Sequence, residues 1–103
     1  ISPMELLLMG IAGCSSIDII AILDKQKINP ISLKMDVKGH RHENQVPALF
    51  YQIDINIYLE GRFSPEKAKR AAKLSFEKYC SVSKTLESTA KINHKVYLNG
   101  TEV

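Results

Sequence analysis

The chain holds only two cysteines in 103 residues, no tryptophan, and no strong excess of charge of either sign. Two cysteines cannot build the dense disulfide framework of a small secreted domain, which needs more of them at closer spacing. A net charge of +3 is too mild to mark a nucleic-acid binder, and the lysines are spread along the chain. The cluster Lys67, Lys69, Arg70 and Lys73 has no interleaved aromatics on which bases could stack, and reads as a solvated helix face. No cleavable leader pattern is visible, because no basic region precedes the apolar stretch and no small-residue cleavage site follows it. One long apolar run is present, Leu6 to Leu23, but Ser15, Ser16 and Asp18 interrupt it. The uninterrupted part before Cys14 falls well short of the ~20 residues a membrane span requires. These absences lead to the expectation of one cytoplasmic domain over residues 1–103 with reduced thiols, binding neither membrane nor nucleic acid. The chain starts at Ile1, directly at a helix-start signal, and is expected to lack a natural N-terminal segment.

What is there reads as α-β-β-α-α-β, an α+β layer arrangement. Ser2 is a good N-cap, Pro3 suits the first helical position, and Glu5 can complete a capping box, so a helix is expected from Pro3 to Lys27. Asn29-Pro30 stops it, because the residue before a proline resists the α conformation. A helix apolar nearly all round is a buried one. Gly10 and Gly13 each cost about 1 kcal/mol relative to alanine within it, which points to close approach of another backbone, most simply a second copy of the same helix. Strict alternation marks strands at Ile31–Lys38 and Tyr51–Leu59, with residues 39–47 as the polar end of a long hairpin. Ser64-Pro65-Glu66 opens a second helix, Val82–Ser88 forms a short third one capped by Ser81, and Lys91–Leu98 is a last strand before an Asn99-Gly100 turn. Three strands cannot cover so apolar a first helix; the missing surface has to come from a partner subunit, from an absent N-terminal segment, or from both, and a homodimer is expected.

The two cysteines occupy different settings. Cys14 ends an apolar run, and Cys80 heads the polar segment Cys80-Ser81-Val82-Ser83-Lys84. They read either as a working thiol pair or as two small buried hydrophobes, since free cysteine is among the most buried residue types. Peroxide reduction needs a thiolate, and an unperturbed cysteine is only about 3% thiolate at pH 7. Cys14 lies too deep in its helix to profit from the N-terminal dipole, and Asp18, one turn on, opposes its ionisation. It therefore needs a cation, with Arg41, Arg62, Arg70 or an arginine of a preceding segment as the candidates. Cys80, before a helix N-terminus, is expected to gain thiolate character there.

Ser2-Pro3-Met4-Glu5-Leu6-Leu7-Leu8, then Ala12-Gly13-Cys14, and later Cys80-Ser81-Val82-Ser83-Lys84 resemble the OsmC/Ohr family of organic hydroperoxide reductases. The Gly-Cys-Ser-Ser-Ile-Asp wording is closest to its YhfA-like branch. The resemblance implies an OsmC-like fold, with a long buried central helix packed against an antiparallel sheet in an intertwined dimer. It also implies that Cys14 attacks the peroxide and becomes a sulfenic acid, and that Cys80 resolves it. The partners so implied are a second copy, a small apolar hydroperoxide and a dithiol reductant, with a lipoyl group as candidate; no metal or organic cofactor is expected. Leu7, Ile11, Phe50 and Phe76 are candidate walls of an apolar substrate pocket. The family glutamate that pairs with the activating arginine is replaced here by Met4. Glu5 points about 100° away from that position and reads better as a cap. The alternative is a catalytically inactive dimeric binding protein of this fold for small apolar ligands.

Other motifs have plainer readings. Gly10-Ile11-Ala12-Gly13 matches the GxxG pattern of an RNA-binding loop, but lies inside an apolar run where packing glycines are expected. His40-Arg41-His42-Glu43 offers two same-face histidines with no third ligand, which suits a polar hairpin end better than a metal site. His94 falls on the inward pattern of the last strand. Ser15 and Ser16 have no hydrolase-type partners.

Overall fold

Helix α1 starts where the local chemistry demands it. In the computed structural model, which describes residues 2–103, Ser2 accepts the Glu5 N–H at 3.2 Å and the Glu5 carboxylate accepts the Ser2 N–H at 3.4 Å. That reciprocal pair is a complete capping box, so Glu5 is a capping residue. The helix runs over Pro3–Lys25, two residues shorter than expected, with Gln26 at its C-cap. Lys27 takes a left-handed φ of 61°, the conformation that closes many helices.

Strands β1 (Ser32–Arg41) and β2 (Phe50–Glu60) form the long antiparallel hairpin, both longer than the alternation alone indicates. Helix α2 (Pro65–Leu74) follows, capped by Ser64, which accepts the Lys67 N–H. A π-helical turn (Ser75–Tyr79) and a short α3 (Ser81–Leu86) lead to β3 (Lys91–Leu98). Asn99 and Gly100, both at positive φ (52° and 84°), turn the chain into a two-residue strand β4 (Thr101–Glu102), which the sequence reading did not anticipate. Two consecutive positive φ values are what a tight hairpin turn needs, and Asn-Gly supplies them at low cost.

The sheet order is β1-β2-β3-β4. It is mixed, not antiparallel as expected: β2 and β3 run parallel, because the helical crossover between them returns the chain to the same end of the sheet. The register stacks Leu33, Met35 and Val37 of β1 against Leu59, Ile57 and Ile55 of β2, and these against Leu98, Val96 and His94 of β3. Ile53, Ile55, Ile57 and Leu59 are buried to 1% exposure or less, together with Ile11, Ile19 and Leu23 of α1 and Ala68, Ala71 and Ala72 of α2. The opposite sheet face is polar, with Lys34, Asp36 and Lys38 across from Tyr58, Asn56 and Asp54.

Only one face of α1 is covered. Ile11, Ser15, Ile19 and Leu23 are buried, whereas Leu6, Met9, Ile17 and Ile20 are exposed, Ile17 to 72%. The all-round burial expected for this helix is therefore absent from the single chain. A Cβ on Gly13 would meet nothing within 4 Å, and one on Gly10 would make only ordinary contact with Val82. Among the described residues, no backbone from outside the helix comes within 4 Å of either Cβ position. By length and composition α1 could also cross a membrane, but its buried face is part of the α+β core.

Candidate functional site

Cys14 and Asp18 lie one turn apart on α1, so both project on one side of that helix. Cys80 arrives from the far half of the chain. The π-helical turn ends with the Cys80 N–H donating to the Ser75 carbonyl at 2.7 Å, and Cys80 then goes extended (φ −75°, ψ 105°) to become the N-cap of α3. The expected Ser81 cap is thus displaced by one residue. This break delivers the thiol to α1: the Cys14 sulfur, an Asp18 carboxylate oxygen and the Cys80 sulfur all lie within 4.8 Å of one another. Both cysteines are free, Cys80 buried and Cys14 half-buried.

The surroundings of Cys80 correct its expected ionisation. Burial pushes its thiol up to about 11, against the Ser83 N–H, which donates to the sulfur at 3.3 Å, while the neighbouring Cys14 pushes it further up. One amide hydrogen bond does not offset the loss of water around a fully buried sulfur. The Ser83 hydroxyl, also buried, has no hydrogen-bond partner among the described residues. Ser75, fully buried, donates its hydroxyl to Asp18 Oδ2 at 3.4 Å, with the Ser15 carbonyl at 3.5 Å. In the sequence Ser75 was one more small residue on the inward stripe of a helix. Its only signal as a site residue is a hydroxyl on an otherwise apolar face.

None of the three arginines is ion-paired in this site. Arg41 donates Nε to the Ala48 carbonyl at 2.7 Å in the hairpin, and Arg62 and Arg70 are exposed. Among the described residues the ion pairs are His40–Asp54 and Lys84–Glu87. Ser15 and Ser16 donate to the Ile11 and Ala12 carbonyls of their own helix at 2.7 and 2.6 Å, which satisfies their hydroxyls without catalytic partners. The expected pocket walls are redistributed: Ile11, Phe50 and Phe76 are core residues, and Leu7 is 40% exposed. A concavity of about 1050 Å³ opens on the polar sheet face among Asp36, Asp54, Asn93 and Lys95, and neither thiol lines it. His94 stacks on Phe76 with ring centroids 5.0 Å apart, and His40 binds Asp54 at 2.9 Å in the hairpin.

The OsmC-like protein family model matches residues 1–95. The chain belongs to the OsmC-like family. Its resemblance to the YhfA-like branch holds as well: Protein YhfA of Escherichia coli (strain K12) is 39% identical over 94 residues, covering 90% of this chain and 69% of that protein. Among solved structures, a hypothetical protein from Aquifex aeolicus VF5 superposes with a TM-score of 0.84 at 35% identity, over 96% of this chain and 76% of the other. An organic hydroperoxide resistance protein from Elizabethkingia anophelis shares the OsmC-like fold, with a TM-score of 0.80 at 14% identity over 96% of this chain and 69% of its own.

Proposed function

We propose that the chain is a cytoplasmic thiol-dependent peroxidase that reduces organic hydroperoxides and works as a homodimer. The observation that carries this reading is the convergence of the two sulfurs within 4.8 Å across otherwise separate elements. The thiolate of Cys14 attacks the terminal peroxide oxygen, the O–O bond breaks, and the products are a Cys14 sulfenic acid and an alkoxide that takes up a proton. The Cys80 thiolate then attacks the sulfenic sulfur, and hydroxide leaves and is protonated to water as the disulfide forms. A dithiol reductant regenerates both thiols and is itself oxidised to its disulfide. A family neighbour described as an organic hydroperoxide resistance protein supports the substrate class.

The exposed stripe of Leu6, Met9, Ile17 and Ile20, centred on the open face at Gly13, suits a second copy of α1. Burying four large apolar side chains, each worth at most about 1.5–3 kcal/mol, contributes to the drive for association. An apolar substrate is accommodated at the same boundary. The cation that Cys14 requires then comes from the partner copy or another segment, since no arginine here pairs within the site.

A second reading, an inactive dimeric binding protein, is favoured by that missing cation and by Met4 at the family glutamate position. A mass-spectrometric thiol count separates the two. One equivalent of an organic hydroperoxide should convert reduced protein to a single intramolecular disulfide within seconds, and Cys80→Ser should accumulate a trappable sulfenic acid on Cys14. Survival of both thiols over minutes leaves the binding reading.

A further inference from the structure

Cys14, Asp18 and Cys80 also meet the requirements of a metal site, and we propose that they bind a zinc-class divalent cation that holds the two thiols reduced and unreactive. Tetrahedral zinc with metal–sulfur distances near 2.3 Å spaces its ligand atoms about 3.8 Å apart. The three donors lie within 4.8 Å of one another, so closure around an ion needs side-chain adjustments of about 1 Å at most. Two donors sit one turn apart on a rigid helix and the third is fixed by the α3 cap, which leaves a fourth position open.

The donor chemistry selects the ion. Two sulfurs and one carboxylate suit a borderline-soft cation and not magnesium or calcium, which take oxygen ligands. Charge points the same way: three groups that can become anions meet here, and among the described residues no ion pair neutralises Asp18. The supporting hydrogen bonds already stand behind the ligands. Ser75 donates to Asp18 Oδ2, which fixes the carboxylate in place, and the Ser83 N–H donates to the Cys80 sulfur. This departs from the expectation that no metal is needed, which concerned peroxide turnover. The cation acts on the resting reduced protein, and the inference does not depend on the peroxidase reading.

The test is titration of the reduced full chain with Co²⁺, followed by displacement with Zn²⁺, with peroxide absent throughout. The expected result is sulfur-to-cobalt charge-transfer absorption with tetrahedral visible bands at one equivalent, lost when zinc is added. Cys80→Ala should roughly halve the charge-transfer intensity, and Asp18→Asn should weaken binding at least about 10-fold. Zn²⁺ should also protect both wild-type thiols from Ellman's reagent, with reactivity restored by EDTA. That arm needs no variant to fold. No charge-transfer band at equimolar Co²⁺, full intensity in a folded Cys80→Ala, unchanged affinity in a folded Asp18→Asn, or thiols that react equally with and without zinc would each overturn the proposal.

Discussion

Cys14 and Cys80 come from opposite halves of the chain, and their sulfurs lie within 4.8 Å of each other beside one carboxylate. The separation is bridged by α1 packing against the π-helical turn and α3, not by any local sequence element. A pair so placed can be linked with small rearrangement, and its two members differ in environment. Cys14 is half-buried, while Cys80 is sealed from water.

In the proposed mechanism, that difference sets the pH dependence of the resolving step. Because burial holds the Cys80 thiol near 11, its thiolate fraction rises about tenfold per pH unit through the range 7 to 9. The lifetime of the Cys14 sulfenic acid should shorten in proportion. Quench-flow trapping across that range measures it, and a flat profile would mean that Cys80 is not the resolving thiol.

Ile17 should control assembly. It is 72% exposed in the single chain, so Ile17→Asp places a charge where little intrachain packing is lost. Light scattering after size exclusion should show wild-type dimers and a variant dimer affinity weakened by at least about 100-fold, in line with loss of a well-buried anchor. A wild-type monomer at all concentrations defeats the dimer reading.

His94 makes the fold acid-sensitive. Burial against Phe76 holds its imidazole below the usual range, with Glu77 opposing the shift. The unfolded chain then binds the proton more readily, so this contribution to stability is complete above the unfolded value of about 6.5 and falls as pH drops through it. Urea midpoints should decline from pH 8 to pH 5, and His94→Phe should flatten the decline while keeping the ring stack. An equally steep loss in the variant would assign the acid sensitivity elsewhere.

Gly39 is required by packing. A Cβ there would lie 2.8 Å from Phe50 Cδ1 and 3.1 Å from Leu8, inside van der Waals contact on two sides. Gly39→Ala should cost about 1–3 kcal/mol in chemical denaturation, the range for overfilling a tight core. A change below about 0.5 kcal/mol would show that Phe50 and Leu8 move aside freely.

The elements of the fold were largely legible in the sequence because their signals are local. Ser2, Pro3 and Glu5 carry the capping box of α1 within four residues, and alternation in β1 and β2 assigns each side chain to a sheet face. Family membership was legible for the same reason, since the segments around Cys14 and Cys80 are short and continuous. Boundaries drifted where a long-range partner decides them: β1 continues to Arg41 because β2 is there to pair with it, and β4 exists because Asn99-Gly100 returns the chain onto β3.

The site shows the division most clearly. Sequence alone determined that two thiols and an aspartate exist, and that Cys14 and Asp18 share a helix face, because the pitch of a helix is universal. Only the tertiary structure decided that Cys80 meets them, that burial raises its thiol instead of the helix end lowering it, and that Arg41 is held in the hairpin away from any carboxylate partner. It also decided that one face of α1 is covered and the other open. Desolvation and contact between distant segments depend on how the layers pack, and no local pattern of residues encodes that.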